Sequence, residues 1–469
     1  MQSLIWLTDT LWNPWLLGCF LLTGLYCSVR TGFFQLFGLR VWLRATVGSI
    51  LRPAGKKQKG EISQLQALCT ALASTIGTGS IAGVATAIWF GGPGAVFWMW
   101  VSAVLGMMTG FVEKTLAVCT RVRGKDGGWL CGPMYYLKNG VGGKLLAGWY
   151  ALACLCAALI GGNLVQANAI ADILHTAFGW ERIAVGMGVA AATVLVMAGG
   201  LKRVAQVSSW LVPVMALLYL GSGIGVLAAR IEVLWDTLKL IFFCALSPEA
   251  VFGGGVGYAV STAMRYGIAR GVFTNEAGLG TSAIAHGAAE VDHPARQGMW
   301  GILEVGVSTL LVCTVTALAI LTSGVYDPFL GAAGVPPVCG TGASLTAAAF
   351  SSVLGEMGTL VVALSLLLFA FSSMIGWSYY GIQCLTYLKG GTGAALWFRC
   401  FFFGAALLGS ICDGSQVWVL VDMCNAMMAI PNLLGILMMS GQGFRELNGW
   451  RNWESSGRAK IFKKMKIRG

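Results

Sequence analysis

Charge is what this chain has least of. Asp, Glu, Lys and Arg make up 11% of its 469 residues, where a soluble domain carries roughly 25%. With 57% hydrophobic residues and a mean hydropathy of +0.74, that shortage excludes an ordinary soluble domain and points to a polytopic membrane protein. Histidine is scarcer still. His175, His286 and His293 lie in or near loops or helix ends and are read as ordinary polar residues. The 14 Cys show no metal-ligand spacing, and most fall within apolar runs, where Cys behaves as a small hydrophobe. No disulfide framework or metal centre is expected. No Gly-x-x-x-x-Gly-Lys-Ser/Thr run occurs, which argues against an ATP-driven pump. No Ser/His/Asp set emerges either, so the chain is read as neither an enzyme nor the carrier of a cofactor.

The basic residues that exist are placed in a pattern. Their excess, a net charge of +12, does not mark a nucleic-acid partner, because they sit between apolar runs and in the tail. Residues 1–10 hold no Lys or Arg, so the first apolar run, about 11–29, lacks the basic flank of a signal peptide. Arg30, Arg40, Arg44, Arg52, Lys56, Lys57 and Lys59 follow it, which puts the N-terminus outside and this loop in the cytoplasm. Further apolar runs lie near 66–89, 94–118, 145–173, 183–200 and 206–228. Gly91-Gly92-Pro93 reads as a tight turn, and Lys202 and Arg203 as part of a short cytoplasmic link. Residues 231–256 mix Glu232, Asp236, Lys239 and Glu249 with apolar residues, as in an external amphipathic helix and loop. Five more runs follow near 258–287, 297–323, 357–385, 395–412 and 415–440. The stretch 324–355 has no Lys or Arg and reads as an external loop. The tail from Arg445 onward is basic, and so cytoplasmic.

The expected architecture is an all-α polytopic membrane protein of about eleven transmembrane helices. It divides into a leading helix with its basic loop (1–60), a first five-helix repeat (61–230), the external segment (231–256), a second five-helix repeat (257–440) and the tail (441–469). An odd number of spans per repeat inverts the second five relative to the first.

Two of these runs are interrupted in the middle. Ala73-Ser74-Thr75-Ile76-Gly77-Thr78-Gly79-Ser80-Ile81-Ala82-Gly83 places glycines and hydroxyls where a membrane helix should be continuous. A looser copy, from Glu276 through Gly278, Gly280 and Thr281 to Gly287, stands in the matching half. Paired breaks of this kind mark a transporter's midplane binding site. The half-helix start after Gly77, Thr78 and Gly79 offers free N–H groups to a carboxylate. Unwound carbonyls near Phe273, Thr274 and Asn275 could receive an ammonium, and the hydroxyls of Thr78, Ser80 and Thr274 suit Na⁺ or substrate. Asn163 and Gln166 share a helical face, as cavity wall or as interhelical glue. Glu276 and Glu304 are intramembrane carboxylates and hence functional candidates. For Glu276 the competing account is a structural pairing with Arg265 or Arg270. Ser372, Ser373 and Trp377 put two hydroxyls and a large ring in the run 357–385.

Gly91-Gly92-Pro93-Gly94-Ala95-Val96-Phe97-Trp98-Met99-Trp100-Val101-Ser102-Ala103-Val104-Leu105-Gly106 matches the signature of the alanine or glycine:cation symporter family. Gly132-Pro133-Met134-Tyr135-Tyr136, Phe273-Thr274-Asn275-Glu276-Ala277-Gly278-Leu279-Gly280 and Gly376-Trp377-Ser378-Tyr379-Tyr380-Gly381 are similar to it too, and the resemblance spans about 60–440. The resemblance implies a LeuT-type five-plus-five inverted-repeat fold with one extra N-terminal helix, and Na⁺-coupled uptake of alanine or glycine. It implies that Thr78 and Gly79 hold the substrate carboxylate, and that Gln166, Phe273 and Trp377 line a small pocket. It also implies a sodium position made by backbone oxygens of Ala73 and Ile76 with the hydroxyls of Ser372 and Ser373. The chain departs from the family at Ser80, Ser308 and Ile382, where Asn, a carboxylate and Glu are common. Those changes bear on substrate preference and weaken a second cation site; Ser80, Glu276 and Glu304 are the candidates for a second cation or proton site, with Glu276 or Glu304 the proton carrier if coupling is to protons.

The reading is a multi-pass symporter of a bacterial cytoplasmic membrane that moves a small neutral amino acid with Na⁺ through the lipid bilayer. A proton-coupled symporter, of this or another amino acid such as glutamine, is the nearest rival. A sensor that binds without accumulating solute, and a channel, are weaker ones. The channel lacks a ring of selectivity groups, and the sensor lacks a signalling domain.

Overall fold

In this computed structural model, residues 10–12, 14–50, 62–124, 127–140, 142–246, 260–327, 342–389, 394–412 and 414–466 are described. The second half of the amphipathic segment (247–256), most of the long loop (328–341), and Arg52, Lys56, Lys57 and Lys59 of the first loop lie outside them.

The described chain is nearly all helix, because in lipid only a helix or a closed barrel pairs every backbone group. It starts with α1 (Pro14–Arg30) and three short helices, α2 (Phe34–Phe37), α3 (Leu39–Ala45) and α4 (Val47–Ile50), in the expected first loop. The first broken span is α5 (Gln64–Thr75), then a π-helical turn (Gly79–Gly83) running into α6 (Val84–Gly91), with its halves bent by 55°. Ser63 and Gln66 start α5 with a reciprocal cap: Ser63 Oγ accepts the Gln66 N–H (3.1 Å) and Gln66 Oε1 accepts the Ser63 N–H (3.0 Å). Gly92, at φ 69°, turns the chain into α7 (Gly94–Cys119). A hairpin of β1 (Val122–Arg123) and β2 (Trp129–Leu130), paired Val122 to Leu130, leads through α8 (Pro133–Asn139) to α9 (Gly143–Leu159). A second π turn (Ile160–Leu164) joins α9 to α10 (Val165–Phe178).

Next come α11 (Arg182–Ala198) and α12 (Gly200–Ala229). Gly200, at φ 64°, turns the chain so tightly that Lys202 and Arg203 fall in the first turn of α12 and not in a link. The amphipathic segment forms α13 (Ile231–Leu246), with Trp235, Phe242 and Phe243 exposed. Its Cys244 carbonyl oxygen would lie 2.6 Å from a Cβ on Gly94. The second broken span is α14 (Val260–Asn275) and α15 (Ser282–Gly287). After it, α16 (Pro294–Val305), a third π stretch (Gly306–Cys313) and α17 (Thr314–Thr322) make one span. The end of the expected external loop is α18 (Ala343–Leu354), whose Thr346 hydroxyl donates to the Ile81 carbonyl (3.2 Å) and so covers the first break. The chain closes with α19 (Glu356–Lys389), α20 (Ala394–Ile411) and α21 (Gly414–Lys466). The last span and the expected tail are thus one helix, which runs unbroken through Gly441 and Gly443.

Six helices among the described residues are long and apolar enough to cross a membrane, and the bent pair of the first break makes a seventh. Shorter apolar helices include most of α1, α11 and α20. The chain is an all-α multi-pass membrane protein. Small residues let its helices approach closely. On α14, a Cβ at Gly267 would press on the Ala95 carbonyl of α7 with the Trp98 Cβ only 2.8 Å away. Gly188, on α11, faces open space.

Gly267→Ala should therefore destabilise the bundle by about 1–3 kcal/mol through overpacking, while Gly188→Ala should leave it unchanged. Heating the detergent-solubilised protein and reading the residual size-exclusion peak measures both.

Candidate functional site

The first break frees four carbonyls. The Ile76 N–H still reaches the Leu72 carbonyl (2.8 Å), but the next backbone bond is Ser80 N–H to Gly77 O (3.1 Å). The carbonyls of Ala73, Ser74, Thr75 and Ile76 are left without their helical donors. Helix α19 brings hydroxyls to two of them. Ser372 Oγ is 3.1 Å from the Ala73 oxygen, and Ser373 Oγ is 3.2 Å from it and 3.4 Å from the Ser74 oxygen. A Cβ at Gly77 would lie 2.5 Å from Ser373 Oγ, so only glycine admits this approach. Ala73, Ile76, Ser372 and Ser373, the residues expected to hold a cation, are all buried here, and the two hydroxyls reach the Ala73 and Ser74 oxygens and not that of Ile76. Hard oxygen donors of this kind suit a small cation.

The second break is held differently. Glu276 takes φ 54°, a left-handed value that few non-glycine residues adopt. Past it, the Ala277 N–H bonds Asn275 Oδ1 (3.0 Å), the Gly278 N–H bonds Glu113 Oε1 (2.9 Å) and the Leu279 N–H bonds the Glu276 carbonyl (3.0 Å). The carbonyls of Phe273, Thr274 and Asn275 thereby lose their helical partners, as expected. Asn432 Nδ2 donates to both Glu113 Oε1 (2.7 Å) and the Gly278 carbonyl (2.8 Å), and Tyr136 donates to Asn432 Oδ1. Tyr150 donates to the Leu279 carbonyl (2.9 Å).

Between the breaks lies a cavity of about 30 Å³. Ser74, Thr75, Gly77, Thr78 and Gly79 wall it on one side, and Phe273, Glu276 and Leu279 on the other. Gly161, Gln166, Trp377, Val421 and Asn425 complete it. Gln166 Nε2 donates to Thr78 Oγ1 (3.3 Å) and to the Gly161 carbonyl (3.1 Å), and its buried Oε1 has no partner. Asn163 instead ties its helix to the Phe402 carbonyl (2.6 Å), so one amide is wall and the other is glue. The glycines set the rings: Gly162 has its missing Cβ where the Trp377 side chain sits, and a Cβ on Gly79 would be 2.7 Å from the Phe273 ring. Arg270 lies over Phe273 and Trp418 and reaches Asp422 (3.8 Å).

Six of the expected substrate residues, Gly77, Thr78, Gly79, Gln166, Phe273 and Trp377, meet at this cavity. Thr274 and Asn275 do not line it. The Thr274 hydroxyl back-bonds to the Arg270 carbonyl (2.8 Å), and the Asn275 side chain caps the break. Ser80 is buried away from the cavity, its carbonyl taken by Thr316 Oγ1 (2.9 Å). Glu276 lines the cavity with its carboxylate held by the Thr281 hydroxyl, and not by Arg265 or Arg270 of the competing account. Arg265 lies over Tyr266 and Arg270 points to Asp422.

Glu304 belongs to a buried charge cluster that the sequence reading overlooked. Lys114 Nζ is 3.3 Å from Glu113 Oε2 and 3.4 Å from Glu304 Oε2, and His286 Nε2 is 3.1 Å from the same Glu304 oxygen. All four side chains are fully buried. Gly110 and Gly301 make room: a Cβ there would come within 3.4 Å of Lys114 Nζ and 2.9 Å of Lys114 Cδ. Ser80, Glu276 and Glu304 therefore do not form one cation site. The signal that could have found the cluster was in the sequence, as two adjacent charges inside an apolar run.

The sodium:alanine symporter family model matches residues 1–464. The chain is 40% identical over 434 residues to the sodium/alanine symporter AgcS of Methanococcus maripaludis, covering 92% of each. It is 34% identical over 463 residues to the putative sodium/proton-dependent alanine carrier protein YrbD of Bacillus subtilis, 97% of this chain and 93% of that one. A solved manganese transporter of Eremococcus coleocola shares the fold, with a TM-score of 0.53 at 14% identity over 83% of this chain and 86% of that chain. The architecture is of the LeuT type.

Removing Lys114 strands two buried carboxylates. Lys114→Met should cost about 3–5 kcal/mol, and adding Glu304→Gln should recover part of the loss, both read as shifts in thermal denaturation.

Proposed function

The chain belongs to the sodium:alanine symporter family, and we propose that it imports alanine or glycine together with Na⁺ by alternating access. Family membership makes it a cation-coupled amino-acid symporter of the membrane and not an enzyme. The observation that carries the finer reading is the cavity with its two unlike sets of free backbone groups.

A carboxylate fits at Thr78 and Gly79. Among the described residues no turn or cap bond engages the N–H groups of Gly77, Thr78 or Gly79, and a helix start attracts an anion. The carbonyl of Phe273, with the Glu276 carboxylate, gives an ammonium its partners. A cavity of about 30 Å³ holds roughly two waters at ~10–15 Å³ each, so in this closed shape even a small amino acid enters only as the walls part. Phe273 and Trp377 close it, and the larger the side chain, the further those rings must move. Na⁺ goes to the oxygens of Ala73, Ile76, Ser372 and Ser373, next to the break that holds the substrate carboxylate. Each ligand thereby stabilises the arrangement the other needs, which is the energetic basis of coupling. From Arg121 and Arg123 beside the hairpin and from the basic tail we infer that the hairpin and the C-terminus face the cytoplasm of a bacterial cell and that the N-terminus lies outside.

The deciding experiment is labelled alanine and glycine uptake into proteoliposomes under an imposed Na⁺ gradient and then a proton gradient. Accumulation driven by Na⁺ supports the reading, and accumulation driven by protons alone overturns the sodium assignment. Ser373→Ala should raise the Na⁺ concentration for half-maximal uptake about tenfold, the equivalent of one lost ligand worth about 1.4 kcal/mol. An unchanged Na⁺ dependence would remove Ser373 from the site. Trp377→Ala should admit a bulkier amino acid and weaken alanine. Competition by leucine or glutamine measures that.

A further inference from the structure

His286 stands on α15, the half-helix after the second break, with no solvent exposure. Its Nε2 faces Glu304 Oε2 at 3.1 Å and its Nδ1 faces Gln297 Nε2 at 2.6 Å. With the amide donating, Nδ1 carries a lone pair, so the ring proton sits on Nε2 and points to Glu304. That is a neutral imidazole. The Gln297 Oε1 atom, meanwhile, is buried with no partner. Turning this amide over presents Oε1 to Nδ1, and the same cage then holds an imidazolium that donates to Gln297 on one side and Glu304 on the other. No other group has to move.

Charge points the same way. Glu113, Lys114 and Glu304 together carry one net negative charge with no exposure to solvent. A proton on His286 brings the four groups to neutrality, and an uncompensated buried charge is costly. Among the described side chains, the other titratable or charged groups on the packed elements include Glu276 in the break, Cys69 on α5, Cys119 on α7, Arg296 on α16, Tyr379, Tyr380 and Cys384 on α19, and Glu446 on α21, 3.7 Å from His293. Cys131 meets the Ile284 carbonyl (3.2 Å), and Arg121 holds the carbonyls of Gly287 (3.0 Å) and Ala289 (2.7 Å) at the end of α15.

We propose that His286 is a proton-binding site, caged by Glu304 and Gln297, that ties the half-helix α15 to α16 more tightly when protonated and so slows transport at low cytoplasmic pH. The bond that tightens is the contact from His286 Nε2–H to Glu304, already charge-assisted by the carboxylate, which becomes a buried ion pair when the ring is protonated. A movement of α15 away from α16 must break it. The effect on transport rests on the symport reading above, whereas the proton site does not.

The chain has three His, which makes the site directly observable. In the His175→Asn, His293→Asn variant, His286 is the sole histidine, and Asn is a good helix cap for position 293. Solid-state ¹⁵N NMR of the histidine-labelled variant in lipid should show a neutral ring protonated on Nε2 at pH 8 that becomes doubly protonated as the pH falls to 5. A ring that keeps one protonation state throughout overturns the proposal. In proteoliposomes, lowering the interior pH from 8 to 6 should reduce the maximal rate of Na⁺-driven alanine uptake several-fold at unchanged KM, and His286→Gln should abolish that dependence. Its folding is checked by the size-exclusion profile. A His286→Gln variant that elutes normally and keeps the wild-type pH profile overturns the regulatory role. If no gradient drives uptake, the symport reading fails instead, and the NMR titration still decides the proton site.

Discussion

Backbone groups in the middle of a membrane must find partners, and two interrupted helices leave many without them. Much of the structure around the breaks answers that need. At the first break, hydroxyls of Ser372 and Ser373 reach the Ala73 and Ser74 carbonyls, Thr316 reaches Ser80, and Thr346 reaches Ile81. At the second, Glu113, Asn275, Asn432 and Tyr150 serve Gly278, Ala277 and Leu279. Five helices (α7, α9, α17, α19 and α21) and the short α18 are positioned by these bonds. Ser74, Thr75 and Phe273, whose carbonyls lose their helical donors, line one small cavity, so some of the groups left over from folding are available to bind.

The two breaks are satisfied by different chemistry. Neutral hydroxyls serve the first, and their oxygens can exchange a carbonyl partner for a cation at little cost. The second is anchored by a carboxylate that is itself fixed by Lys114 and Asn432. Breaking an ion pair in a buried site costs several kcal/mol, so the loop from Glu276 to Thr281 has a stiff support on its α7 side. Glu276 holds a left-handed backbone conformation there. Strain of that kind persists where surrounding contacts over-determine it. One break is thus suited to exchanging ligands, and the other to holding a shape or changing it as a unit.

The site was legible to the extent that it followed from local sequence. Gly77-Thr78-Gly79 announced the first break, because nothing in helix chemistry explains that run inside an apolar span. Gln166, Phe273 and Trp377 came from family resemblance and do meet at the cavity. Asn425, Val421 and Leu279 gave no signal, since an amide or an aliphatic residue in a membrane helix has many uses. Thr274 shows the opposite error. Its hydroxyl looked like a ligand beside the break, yet the carbonyl one turn back was closer and took it. Lys114 drew no notice in the sequence, although its ammonium lies between two buried carboxylates.

The sequence by itself determined the class: many apolar runs, basic residues between them, and two matching interruptions. Each follows from forces that act over a few residues, namely transfer into lipid, the positive-inside bias and the low helix propensity of glycine. Only the tertiary structure decided which groups share the space between the interruptions. Lys114 and Glu304 are far apart along the chain, and they form a pair because Gly110 and Gly301 leave a gap the lysine can fill. His286 and Gln297 meet because α15 and α16 pack on the same face of α7. Contacts of that range depend on the volumes of side chains on several helices at once, and no local pattern records them.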